Sequence, residues 1–135
     1  MKLQVNTLLA LYSVLEFAAD PQRHIPASEI AAKYGVSAHH LAKVLAELAR
    51  AGVVESVRGV GGGYRFAANA KRLTLMDVIG QFEDISSVPH RGAGEAVAPA
   101  DRAISQVLSE IDQIARATFS SITIATMLKL VQKAG

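Results

Sequence analysis

Three consecutive glycines, at 61–63, sit inside the stretch "RGVGGGYRF" (residues 58–66), and around them the hydrophobic period of the chain changes. "VVESVR" before the run and "YRFA" after it alternate apolar with polar residues, and so read as two strands joined by a glycine turn. Everything upstream is helical in period. Residues 3–19 place Leu8, Leu11, Leu15 and Ala18 at helical spacing, with Val5, Tyr12 and Ala19 beside them, and Asp20-Pro21 ends the pattern. A short helix after Pro26 turns Ile30 and Ala31 inward and stops at Gly35, where positive φ is tolerated. Ser37 is a suitable N-cap for the next helix, "AHHLAKVLAELARA", which buries Leu41, Val44, Leu45 and Leu48 and ends at Gly52. Two helices separated by "YGVS" match a helix-turn-helix, and a ribbon directly behind the second makes it a winged one.

Downstream, Thr74 with Asp77 three residues on forms a variant capping box for a helix through about Phe82. Residues 84–99 lose periodicity and gather Gly, Pro and Ser, which predicts a loop or linker. Pro99 sits in the first turn of a long helix, about 100–119, in which Ile104, Val107 or Leu108, Ile111, Ile114 or Ala115, and Thr118 form one stripe. By itself this stripe fits either an intramolecular core or a seam with a second chain. A last helix, capped by Thr123, carries Ile124, Met127, Leu128 and Val131. The expected fold is mostly α with a small β-wing (α+β). It divides into a winged helix-turn-helix domain (1–83), a loop (84–99), and a long helix with a C-terminal helix (100–135).

The formal charge of +2 hides an asymmetry. Residues 33–72 hold seven basic side chains (Lys33, Lys43, Arg50, Arg58, Arg65, Lys71, Arg72) against Glu47 and Glu55, a local +5, so the remainder of the chain is −3. A basic segment within a near-neutral chain is the electrostatic footprint of a polyanion-binding face. The chain has no cysteine, which removes disulfides, thiolate metal sites and cysteine nucleophiles together. No apolar run approaches the roughly 20 residues that span a bilayer, and no signal-peptide pattern opens the chain. The expectation is a soluble cytoplasmic protein without membrane association.

The glycines do not form a phosphate loop. A Walker arrangement is absent, and the third glycine of a dinucleotide fingerprint falls on Tyr64 or Phe66, with a strand following where a helix N-terminus is required. A hairpin tip uses the residues better, since glycines allow close backbone approach to a ligand and the flanking arginines can reach a narrow minor groove. Arg58, Gly61, Gly62, Tyr64 and Arg65 are therefore the expected wing contacts. On the second helix of the motif, Ser37, His39, His40 and Lys43 lie at the end that enters a major groove. His39 and His40 point about 100° apart and so make no metal pair.

With the motif placed, longer words become recognisable. "IAAKYGVSAHHLAKVLAELARAGVVESVRGVGGGYRFA", followed by "LTLMDVIGQFE", resembles the Rrf-two family of bacterial regulators, the IscR, NsrR and CymR group. Ser56, Val57, Arg58, Gly59, Gly62, Gly63 and Tyr64 match the family's wing hallmark, and "SITIATML" resembles its C-terminal segment. The resemblance implies a homodimeric transcription factor on double-stranded DNA, paired through Ile104, Val107, Leu108, Ile111 and Ala115 of the long helix. It also implies Arg58 and its glycines in the minor groove and the start of the second helix in the major groove. Many members carry an iron–sulfur cluster on three cysteines of the loop before the dimer helix. Here Gly92, after His90, and Ala98, before Pro99, stand at such places, so a cysteine-held cluster is excluded and no cofactor is expected. The signal, a small-molecule effector or none, is left open.

The leading expectation is a sequence-specific repressor that covers palindromic promoter DNA. The alternative is a winged-helix module that binds another protein and no DNA. Enzyme activity is not expected, because no acid lies three or four residues from the histidine pair to orient it.

Overall fold

The recognisable caps explain where each helix begins and ends. The structure, a computed structural model, describes residues 1–59, 62–86 and 98–135. Helices α1 (Val5–Ala19), α2 (Ala27–Tyr34) and α3 (Ala38–Arg50) precede an antiparallel pair, β1 (Val54–Val57) and β2 (Gly63–Phe66). A short α4 (Leu75–Ile79), a long α5 (Pro99–Ser121) and α6 (Ile124–Ala134) complete the described chain. Gly35 ends α2 with φ 69°, and the Ser37 hydroxyl starts α3 by accepting the His40 N–H. Past α3, Gly52 takes φ 78° while the N–H of Val53 reaches back to the Leu48 carbonyl at 3.0 Å and that of Gly52 to Ala49, also at 3.0 Å. This is the Schellman pattern that only a residue tolerant of the left-handed region adopts easily. Thr74 and Asp77 form the expected reciprocal box, although α4 ends at Ile79 and only turns carry the chain on to Phe82.

Leu41, Val44, Leu45 and Leu48 of α3 lie at the centre of the core, as do Ile30 and Ala31 of α2. The buried face of α1 differs from expectation. It consists of Thr7, Leu9, Ala10, Ser13, Val14, Phe17 and Ala18, whereas Leu8, Leu11 and Leu15 are half-buried, Tyr12 is exposed and Val5 is 69% exposed. The sequence "VNTLLALYSVLEFAA" is apolar almost all round, so periodicity could not choose a face. The choice is made by the elements that pack on α1, chiefly α3, α4, α6 and β2.

The ribbon pairs Val54 with Phe66, Glu55 with Arg65, Ser56 with Tyr64 and Val57 with Gly63. A third segment joins it: Ile25 and Tyr64 exchange both backbone hydrogen bonds, at 2.8 and 3.0 Å. The approach is so close that a Cβ on Gly63 would lie 2.6 Å from the Ile25 carbonyl carbon. Glycine here serves packing as well as turning.

The C-terminal helix folds back onto the winged body. Leu75 N–H donates to Ile122 O at 2.9 Å, Ile124 N–H to Leu73 O at 2.8 Å, and Ala125 N–H to Ala70 O at 2.8 Å. Thr74 and Thr123, the N-caps of α4 and α6, face each other across this joint. Ile124 is fully buried in the same core as α1 and α3. Packing thus joins 122–134 to the winged body. In α5, by contrast, Asp112 is the buried residue.

Candidate nucleic-acid interface

The N-terminal half of α3 and the end of the ribbon, the two projections of a winged helix-turn-helix, hold the expected contacts. On α3, His39 and Lys43 are exposed and His40 is half-buried. Ser37 is exposed as well, and its Oγ is already engaged, accepting the His40 N–H at 3.0 Å. His40 and Lys43 border a depression of about 220 Å³ shared with Asn6, Val44, Glu47 and Phe82. Asn6, from the first turn of α1, thus comes beside α3. No sequence signal pointed to it, because its neighbourhood is purely tertiary.

At the tip, Arg58 is exposed directly after β1 and Gly59 has φ 107°. The Gly62 N–H donates to Gly59 O at 2.9 Å, closing the turn. A Cβ on Gly62 would meet Val57 O at 2.5 Å and Gly59 O at 2.8 Å, so the tip admits no side chain there. Gly61 lies outside the described residues. Tyr64 has an inward role: its ring is half-buried against Phe17, edge-on with centroids 6.5 Å apart, and anchors the ribbon to α1. Among the expected wing contacts its side chain is the one turned to the core, since position 64 shares its face of β2 with buried Phe66.

The basic segment is less uniform than its sum. Lys33 pairs with Glu16 at 2.5 Å, Arg50 with Glu47, and Arg65 with Glu55. Of the other four cations, none forms an ion pair among the described residues, but they separate in space. Lys43 is on α3 and Arg58 at the tip, whereas Lys71 and Arg72 follow the ribbon's base, where Ala67 N–H bonds Val53 O at 2.9 Å. Lys43 and Arg58 are therefore the unpaired positive charges on the two projections.

Two braces hold α1, one to α2 and one to the segment after α4. Tyr34 donates to Glu16 Oε1 at 2.7 Å and stacks on Tyr12 with centroids 5.1 Å apart. Burial works to raise the Glu16 carboxyl, but the Lys33 and Tyr34 hydrogen bonds outweigh it and hold that group below its ordinary value. Burial, reinforced by that carboxylate, pushes the Tyr34 phenol well up. At the other end of α1, Glu83 Oε2 accepts the Gln4 N–H at 2.8 Å and the Thr7 hydroxyl at 2.5 Å, a cap supplied from far along the chain. Its neighbour Asp84 bonds Arg116 of α5 at 2.8 Å.

α5 presents Ile104, Val107, Ile111 and Ile114 at 53–67% exposure, with Leu108 and Ala115 half-buried beside them. The stripe foreseen in the sequence is not consumed by the chain's own core. Among the described residues no helix is long and apolar enough to cross a membrane.

This arrangement has relatives. The Rrf2 family model, described as "Iron-dependent Transcriptional regulator", matches residues 3–130. A protein of Rhodopseudomonas palustris named "Putative HTH-type transcriptional regulator BadM" is 49% identical over 131 residues, covering 97% of this chain and 83% of its own. Among solved structures, T. potens IscR superposes with a TM-score of 0.75 at 25% identity, over 99% of this chain and 90% of that one. CymR, the global cysteine regulator of B. subtilis, shares the fold with a TM-score of 0.74 at 23% identity, over 96% of this chain and 98% of its own. The iron in the family description does not fit a cysteine-held site here. The chain has no thiolate to offer, and no group of three or more His, Asp or Glu side chains that could hold a metal occurs among the described residues. His90 and Gly92 lie outside those residues. The family match spans residues 3–130, and the chain belongs to the Rrf2 family of winged-helix, DNA-binding transcriptional regulators.

Proposed function

We propose that this bacterial regulator acts as a cytoplasmic homodimer, without enzymatic activity, that represses transcription by covering a palindromic promoter site. The observation carrying the reading is the pair of unpaired cations on the two projections, Lys43 on α3 and Arg58 at the wing tip. A helix start and a glycine tip are the two shapes that fit a major and a minor groove. Ser37 sets the helix start by capping it, while His39, His40 and Lys43 face the bases or phosphates and Arg58 with Gly61 and Gly62 enters the minor groove. The exposed row on α5 supports pairing of two copies through Ile104, Val107, Leu108, Ile111 and Ala115, because an isologous seam buries the same apolar patch twice. Two copies would read half-sites about one helical turn apart.

Regulation through a small-molecule effector at 84–99 is compatible with this scheme, as is control by abundance alone. The lack of cysteine supports a regulator that works without a thiolate-held cluster. Sequencing of duplexes selected from a randomised pool by the purified protein tests the reading. One palindromic motif is the expected result, and no enrichment by folded dimer would overturn it. Iron analysis and the visible spectrum of the same preparation, expected to be blank, test the cofactor statement.

A further inference from the structure

We propose that Glu55 is a positioning residue that restrains the wing's grip on DNA by holding Arg65 away from phosphate. This rests on the DNA-binding reading and concerns a residue with no part in it so far. Glu55 and Arg65 are directly paired across the ribbon, on the face opposite Tyr64 and Phe66. Arg65 donates to Glu55 Oε1 from Nε at 2.8 Å and also from Nη2, so one carboxylate oxygen fixes the guanidinium along the strand. Both side chains are open to solvent, at 40% and 49% exposure.

Position decides what this pair meets. The last rung of the ribbon is Val57 with Gly63, and Glu55 with Arg65 lies two rungs further back. At about 3.4 Å per residue, that is about 7 Å behind the last rung and about 10 Å behind Arg58. The minor groove is about 6 Å wide and about 7.5 Å deep. A tip that carries Arg58 into the groove therefore leaves the Glu55–Arg65 rung at or just outside the lip, with the backbone phosphates within reach of a side chain as long as that of arginine. There the carboxylate is repelled and the guanidinium attracted. Arg65 gives a phosphate its Nε and Nη2 donors only by leaving Glu55, and Glu55 then remains uncompensated beside the polyanion. The rung adds almost no net charge to a wing whose free cation is Arg58.

The test uses the full chain and a random-sequence duplex, with affinities measured by fluorescence anisotropy across a salt series. Glu55→Gln, Arg65→Gln and the double variant are compared with the unmodified protein, and thermal melting checks that all four fold. Glu55→Gln is expected to tighten binding about threefold to fivefold, the size of one exposed ion pair. It should also steepen the log–log salt slope by about 1, as one further phosphate is neutralised. In the Arg65→Gln background the same change should bring a smaller gain, the relief of the carboxylate's own repulsion, without the steeper slope of a new phosphate contact. Unchanged affinity and slope for Glu55→Gln would overturn the proposal. An equal gain in both backgrounds would do so too, because removal of a negative charge would then act without Arg65. If the unmodified, folded protein binds no duplex at any salt, the DNA-binding reading itself fails, a result distinct from either.

Discussion

A single hydrogen-to-methyl change at Gly63 tests how the wing is aimed. The added carbon would stand 2.6 Å from the carbonyl carbon and oxygen of Ile25 and 2.7 Å from the Pro26 nitrogen, all backbone atoms that cannot swing aside. Gly63→Ala is therefore expected to destabilise the fold by about 1–3 kcal/mol, the usual range for overpacking. A lowered denaturation midpoint, with the Ile25 and Tyr64 amides losing exchange protection, would show the strain released at that bridge. Arg58 raises a different question at the same scale, since its side chain is exposed and unpaired among the described residues. Arg58→Ala should leave the melting temperature unchanged, weaken DNA binding and lower the salt slope by about 1. A salt titration with unaltered slope and affinity would remove Arg58 from the interface. The contrast between these neighbours was half legible in the sequence. A flanking arginine announces charge by its identity, but the reason for the third glycine lies in a segment almost forty positions away.

Helices α1 and α2 meet through the Glu16 cluster, where a pH dependence follows. The Glu16 carboxyl is held below its ordinary value of 4.5 once folded, burial being outweighed by the Lys33 and Tyr34 hydrogen bonds. A depressed carboxylate stabilises the fold above its unfolded value and loses that contribution as pH falls through the folded value. Glu16→Gln should thus be less stable than the parent at neutral pH, and the gap should close on acidification below about 4.5. Denaturant titrations of both proteins at neutral and acid pH measure this; a pH-independent gap would assign the loss to packing. Caps were the best-read features at this level. Ser37, Thr74 and Thr123 each accept the expected amide, because a cap is a contact between residues three apart. The cap that escaped notice, Glu83 on the start of α1, spans the domain and leaves no local signature.

For the whole molecule, α5 is the arm that would space two copies in the proposed dimer. At 23 residues it is about 34 Å long. Its C-terminal end is tied to the winged body by the Thr74–Thr123 joint, and its exposed row begins at Ile104. Rigid attachment at one end and pairing along the other would fix the distance between two recognition helices. Ile111→Glu introduces a charge at a position 53% exposed within one chain, so the protomer should fold normally. It should run as a monomer in size-exclusion chromatography with light scattering and bind palindromic DNA more weakly than the parent. A stable dimer with unchanged affinity would place the seam elsewhere.

Local order in the chain determined the helix-turn-helix, the ribbon and most caps, since each depends on residues within a few positions of one another. It also determined the apolar row on α5, because periodicity along a helix is visible without knowing what covers it. Tertiary packing alone decided which face of α1 is buried, as that helix is apolar on nearly every side. Packing also decided that α6 belongs to the winged body, through backbone bonds between 70–75 and 122–125. Finally, only the fold sorted the seven cations of residues 33–72 into three neutralised by acids, two at the ribbon's base and two on the projections. Charge is counted along a sequence, but its effect depends on which opposite charge stands within a few ångströms.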